Sequence, residues 1–153
     1  MFKRILSPID FDDNSLDALR TAAEIARREN AKLYVLHVAP LADPIVISAP
    51  FISQRAEENA RTQLQKIAKE ELSGVDYELL ARLGHPADEI VAAEADIDAD
   101  LVIMATHGRT GFSHLLIGSV AEKVVRESAC PVLIVRKKKP RPVSVEDMKR
   151  PAA

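Results

Sequence analysis

The sequence predicts an α/β domain, a parallel β-sheet with helices on both faces. Two observations carry this. Short unbroken apolar runs recur, Leu101-Val102-Ile103-Met104-Ala105 and Val132-Leu133-Ile134-Val135 among them; a run with no polar alternation is a strand covered on both faces, and such strands belong to parallel sheets flanked by helices. Between the runs lie segments with helical period, so that five strands alternate with four helices, as in a βα repeat with right-handed crossovers. The alternation leaves the order of the strands in the sheet open.

Taken in order, residues 2–10 (Phe2 to Asp10) read as the first strand, which stops pairing near Pro8 because proline lacks a ladder donor. Asp12, Asp13, Asn14 and Ser15 supply capping side chains and negative charge for a helix start, and Leu16, Leu19, Ala22, Ala23 and Ala26 form one face of a helix running to about Glu29. Ala31 to Val38 is the second strand. Residues 39–50, with Pro40, Pro44 and Pro50, predict an irregular connection. Ala56, Ala60, Leu64, Ile67 and Leu72 recur at helical spacing and predict a long second helix closed by Gly74. Val75 to Leu83 is a third strand that alternates and carries charge. Pro86 suits the first turn of a short helix reaching Ala95. The run from Leu101 is the fourth strand, a helical pattern follows as far as Ser128, and Val132 to Val135 is the fifth strand.

A chain of 153 residues with 47% hydrophobic content fits one domain with one core. The formal charge of −2 hides an asymmetry: residues 1–135 carry 14 Lys and Arg against 21 Asp and Glu, and residues 136–153 carry 7 against 2. An acidic body argues against a nucleic-acid surface, and the basic, proline-containing segment 137–153 reads as a solvated tail to a domain over residues 1–136. One cysteine, Cys130, permits no internal disulfide and reads as a small core residue. With Asp10, Asp12 and Asp13 where a signal peptide would be apolar, a cytoplasmic location is expected. No stretch approaches the ~18 apolar residues of a membrane span.

The stretch following the fourth strand carries the chemistry. From Thr106 to Ser119 it holds three of the chain's five glycines, Gly108, Gly111 and Gly118. Glycine lets a backbone turn sharply and approach a ligand without a side chain in the way. Ser119 and Glu122 have the Ser-x-x-Glu spacing of a capping box. A helix N-terminus behind a glycine-rich loop favours anions, because free N–H groups and the positive end of the helix dipole meet there. Phosphate is the obvious candidate.

This stretch resembles the ATP-binding branch of the universal stress protein family, whose loop reads Gly, two residues, Gly, nine residues, then Gly followed by Ser or Thr. Gly108, nine residues and Gly118-Ser119 match that pattern, whereas Ala105 stands at the first glycine. The resemblance implies the strand order 3-2-1-4-5, which puts strands 1 and 4 side by side at the point where the winding reverses, the place where open α/β sheets bind ligands. It implies that Pro8 and Asp10 face the loop from the first strand, with Asp10 contacting the nucleoside and Val38 bordering the adenine. Met104 and Ala105 match backbone positions near the ribose and phosphates. Gly108, Gly118, Ser119 and Val120 match the phosphate-cradling loop and helix start, and His107 and Arg109 lie within the loop as weaker matches.

Plainer roles stand beside these. Asp10 also suits the turn into the first helix, Ser119 a helix cap, and Arg109 a solvated charge. His37 reads as a partly buried, satisfied histidine. His107 and His114 lack a carboxylate or cysteine at ligand spacing, so magnesium is expected to arrive with the triphosphate. The chain has no Gly-x-x-x-x-Gly-Lys-Ser/Thr loop, no Gly-x-Ser-x-Gly elbow and no His-Glu-x-x-His helix. The expectation is ATP binding with slow or no hydrolysis, in a stress-response regulator. The alternative is a member of the same fold that binds no nucleotide and acts through protein contacts. The last strand, at a sheet edge if the implied order holds, invites pairing with another chain, and the resemblance implies a homodimer through Val132 to Val135.

Overall fold

The computed structural model describes residues 1–40, 50–106 and 118–136, with the backbone alone for 50–53. Its strands are β1 (Arg4–Pro8), β2 (Lys32–Pro40), β3 (Tyr77–Gly84), β4 (Leu101–Ala105) and β5 (Val132–Val135). Its described helices are α1 (Asp13–Glu29), α2 (Pro50–Glu71), α3 (Pro86–Ile97) and α4 (Ser119–Glu127). All pairings are parallel and the sheet order is β3-β2-β1-β4-β5, as the resemblance implied. Of the proline-rich connection expected over 39–50, residues 41–49 lie outside the described residues, Ala39 and Pro40 extend β2, and Pro50 opens α2. The tail, residues 137–153, lies outside them as well.

Parallel strands send alternate side chains to opposite faces, and both faces are covered. Ile5, Leu33, Val35, Leu101 and Ile103 pack with Leu19, Ala22, Ala23 and Ala26 of α1 and Leu64 and Ala68 of α2. On the other face Leu6, Leu36, Val38, Val102 and Met104 pack with Ile90 and Ala93 of α3 and Ala121 and Val124 of α4. Each large aliphatic side chain sealed in this way contributes about 1.5–3 kcal/mol of transfer free energy. Leu16, expected on the inner face of α1, is half-buried at its margin.

The turn after α2 shows why glycine stands there. Gly74 has φ +72°, a left-handed conformation, and Val75, expected in the strand, donates to the Leu72 carbonyl at 3.1 Å as part of that turn. Pro86 occupies the first turn of α3, where its missing N–H leaves nothing unpaired.

Candidate functional site

The chain winds outward from β1 through β2 to β3, then returns to β4 on the other side of β1 and continues to β5. The helices that follow β1 and β4, α1 and α4, lie on opposite faces of the sheet, which makes the carboxyl ends of these strands the switch point where open α/β sheets form a ligand crevice. Leu6 pairs with Val102, so two residues further on Pro8 is level with Met104. Pro8 also pairs with Leu36, which sets Val38 level with Asp10. Val38 and Met104 are buried in one cluster with Ala121 and Val124 of α4, and Val120 packs against it. Pro8, Asp10, Val38, Met104, Ala105, Gly118, Ser119 and Val120 are thus gathered at one edge of the sheet. His107, Gly108 and Arg109, with His114, lie outside the described residues.

The turn from β1 into α1 is closed by its own polar groups. Ile9 donates its amide to the Leu36 carbonyl at 2.8 Å. The Asp10 amide donates to Ser15 Oγ at 3.3 Å, and Asp10 Oδ1 accepts the Asp12 amide at 3.2 Å. Asp12 is the N-cap of α1, its carboxylate accepting the Ser15 amide at 2.7 Å. Burial raises the Asp12 carboxyl above its ordinary value; the hydrogen bond from the Ser15 backbone opposes the rise, and the charge of Asp10 adds to it. Asp10 therefore does begin the turn into the helix, and its carboxyl also meets that of Asp12.

Two aromatic rings brace this turn. His37 Nδ1 lies 2.9 Å from the Ile9 carbonyl, which can only accept, so that nitrogen carries a proton. The Phe11 ring lies over the imidazole, with centroids 4.1 Å apart and planes inclined by 30°. Phe11 has φ +68°, a left-handed conformation costing a non-glycine residue about 1–2 kcal/mol. His37 is the half-buried, satisfied histidine expected. Phe11 was not anticipated, because a positive φ at phenylalanine leaves no sequence signal.

The start of α4 differs. Its N-cap is Gly118, with no side-chain cap, and the first intrahelical bond runs from the Glu122 amide to the Gly118 carbonyl at 2.9 Å. The capping box expected from Ser119 and Glu122 does not form. A box needs serine in an extended conformation one residue before the helix, whereas Ser119 is already helical and exposed. Glu122 instead lies 4.0 Å from Arg126, one turn on. Gly118 has φ −59° and ψ 152°, a conformation open to any residue, so backbone freedom does not explain a glycine there. Its amide donates to the Thr106 carbonyl at 2.8 Å, which pins together the two ends of the glycine-rich segment.

Sequence reasoning missed Glu94. Only 4% exposed, its carboxylate accepts Ser128 Oγ at 2.5 Å and the Ala129 and Cys130 amides at 2.7 and 3.0 Å, fastening the turn from α4 to β5. The signal was a charge on the apolar stripe of Ala87, Ile90 and Ala93. Burial pushes the neighbouring Cys130 thiol above its ordinary value, in keeping with a structural cysteine. Among the described residues no three His, Cys, Asp or Glu side chains gather as a metal site, and no helix is long and apolar enough to cross a membrane.

The sequence profile of the Universal stress protein family matches residues 1–136. A universal stress protein of Methanocaldococcus jannaschii is 36% identical over 144 residues, covering 91% of this chain and 85% of that one. The solved structure of hypothetical protein MJ0577 superposes with a TM-score of 0.78 at 31% identity, over 92% of this chain and 99% of that chain. A universal stress protein solved in complex with cAMP shares the fold, with a TM-score of 0.70 and 24% identity over 90% of this chain and 99% of its own. The profile match, the sheet order and these relatives agree that the chain belongs to the universal stress protein family.

Proposed function

We propose that this protein is a cytoplasmic ATP-binding stress-response regulator that hydrolyses ATP slowly or not at all. The observation that carries the reading is the start of α4. At the carboxyl edge between β1 and β4, a helix opens on a glycine with no side-chain cap among the described residues, and its first-turn amides and the positive end of its dipole suit an anion. The exposed Ser119 hydroxyl adds a donor beside them. In this reading Gly108, Gly118, Ser119 and Val120 cradle the phosphates, with His107 and Arg109 beside them. Met104 and Ala105 line the ribose, Val38 borders the adenine, and Pro8 and Asp10 close the nucleoside side. Magnesium comes with the triphosphate. Slow turnover follows from the absence of a phosphate-loop lysine and of an identifiable base in the sequence.

Calorimetric titration with ATP and magnesium, with AMP, ADP and cAMP as competitors and phosphate release followed in parallel, tests this. Saturable ATP binding with little release is expected. Ala105, which adds a methyl where the family pattern has glycine, favours the second reading, an interaction protein of the same fold with no nucleotide. Absence of binding by every nucleotide would select it.

The reading includes a homodimer through β5. This edge strand is wholly apolar, and Leu133 is 39% exposed. Replacing Leu133 with lysine is expected to halve the mass seen in light scattering. A wild-type monomer, or an unchanged dimer in the variant, removes β5 from the interface.

A further inference from the structure

The brace on the β1–α1 turn does more than a connection requires. A turn that merely joins a strand to a helix can place glycine in the left-handed conformation without strain. Here phenylalanine occupies that conformation, and its ring is used, lying 4.1 Å from His37. Strained residues persist only where their surroundings over-determine them, and they cluster at ligand sites. The surroundings are specific. Ile9 is held on both sides, its amide by Leu36 and its carbonyl by His37, and the amide of Asp10 is held by Ser15. Asp10, between Ile9 and Phe11, carries the carboxylate that meets both the amide and the carboxyl of Asp12, so the clasp fixes the backbone from which that carboxylate projects.

We propose that His37 and Phe11 form a clasp that positions Asp10 for the nucleoside, each acting through the backbone of residues 9–11 and neither touching the ligand. The inference rests on the nucleotide reading above and deepens it. His37 supplies a hydrogen bond from Nδ1 and a flat surface; Phe11 supplies the covering ring. With both in place the turn is formed before the ligand arrives, so ordering it is not charged against binding.

The test compares His37→Ala, Phe11→Ala, Phe11→Gly, His37→Asn and His37→Gln, reading magnesium-ATP affinity by calorimetry and amide hydrogen exchange in the nucleotide-free protein. If loss of the clasp drops the competent fraction to about a tenth, the Kd for ATP rises about tenfold. That rise is expected in both alanine variants, with faster exchange of the Asp10 and Asp12 amides and unchanged exchange in the core strands. Asparagine at 37 keeps a donor at the δ position and is expected to recover part of the affinity. Glutamine, which places its donor further out, is not. Phe11→Gly, which relieves the strain and loses the ring, is expected to bind as weakly as Phe11→Ala.

An ATP affinity in His37→Ala equal to that of a binding-competent wild type overturns the clasp. So does rescue by glutamine and not asparagine, which moves the effect to the other ring nitrogen, and so does wild-type affinity in Phe11→Gly, which reduces Phe11 to a backbone conformation. A wild type that binds no nucleotide overturns the ATP reading instead, and exchange at Asp10 and Asp12 then decides alone whether the two rings hold the turn.

Discussion

The helices α1 and α4 both begin at the carboxyl edge of the sheet, and they treat their first-turn amides in opposite ways. The start of α1 is satisfied from within: Asp12 caps it, Asp13 adds negative charge in the first turn, and Asp10 and Ser15 tie the approach. At α4 the N-cap is Gly118, and among the described residues no side chain bonds back. A third helix, α3, also lacks a side-chain cap, but Pro86 removes one donor and Asp88 and Glu89 supply charge to its first turn. Lys123 of α4 pairs with Asp88, which holds the carboxyl of Asp88 below its ordinary range. A helix start finished by its own residues stabilises the fold, and one left unfinished beside a crevice is available to a ligand.

The largest expected effect comes from finishing the open start. Gly118→Asp places a carboxylate where none bonds now, in a conformation that aspartate adopts freely. It should weaken ATP binding about a hundredfold, the loss of one or two charge-assisted bonds plus repulsion of the phosphates. Thermal unfolding should show a stability unchanged or raised by a few tenths of a kcal/mol, as expected for aspartate against glycine at an N-cap. Weakened binding with lost stability would mean that the substitution had merely damaged the fold.

The converse change removes the finished cap. Asp12→Ala should cost about 1 kcal/mol in urea unfolding. Affinity for ATP should be almost unaffected, because Asp12 serves α1 and not the ligand. A large loss of affinity would erase the distinction between the two helix starts.

The smallest effect concerns the charge on that cap. Burial raises the folded-state carboxyl of Asp12 above its ordinary 3.8, so the ionised form carries a penalty in the folded protein. As pH falls through the raised value, the folded state takes up its proton before the unfolded state does, and the penalty disappears. Asp12→Asn keeps the cap without the charge. It should therefore be slightly more stable than the wild type at pH 7, the two converging at acid pH. Urea midpoints at neutral and acid pH give the sign directly.

Much of this contrast was legible in the residues. The acidic run Asp12-Asp13 before a helical pattern announced the finished start of α1, and β4 and β5 followed from unbroken apolar runs, whereas β3, at the sheet edge and partly exposed, alternates and carries charge. The order of the strands was not legible in the alternation and came from the family resemblance, since pairing partners are a long-range property. Ser119 misled, because Ser-x-x-Glu spacing is silent on which residue first turns helical, and a shift of one position converts a capped helix into an open one. Phe11 left no signal and Glu94 only a charge on an apolar stripe, for a shared reason. Each owes its role to a partner distant in sequence or to a backbone angle that no neighbour dictates.

The bond from Gly118 to Thr106 has a consequence for how this domain can vary. One contact between described residues brings the exit of β4 and the entry of α4 together, so the two ends of the connection between them are already close. The entropy of closing such a connection grows only with the logarithm of its length, about 0.6 kcal/mol for each doubling. On that term alone, inserting a few residues there should move the melting temperature little.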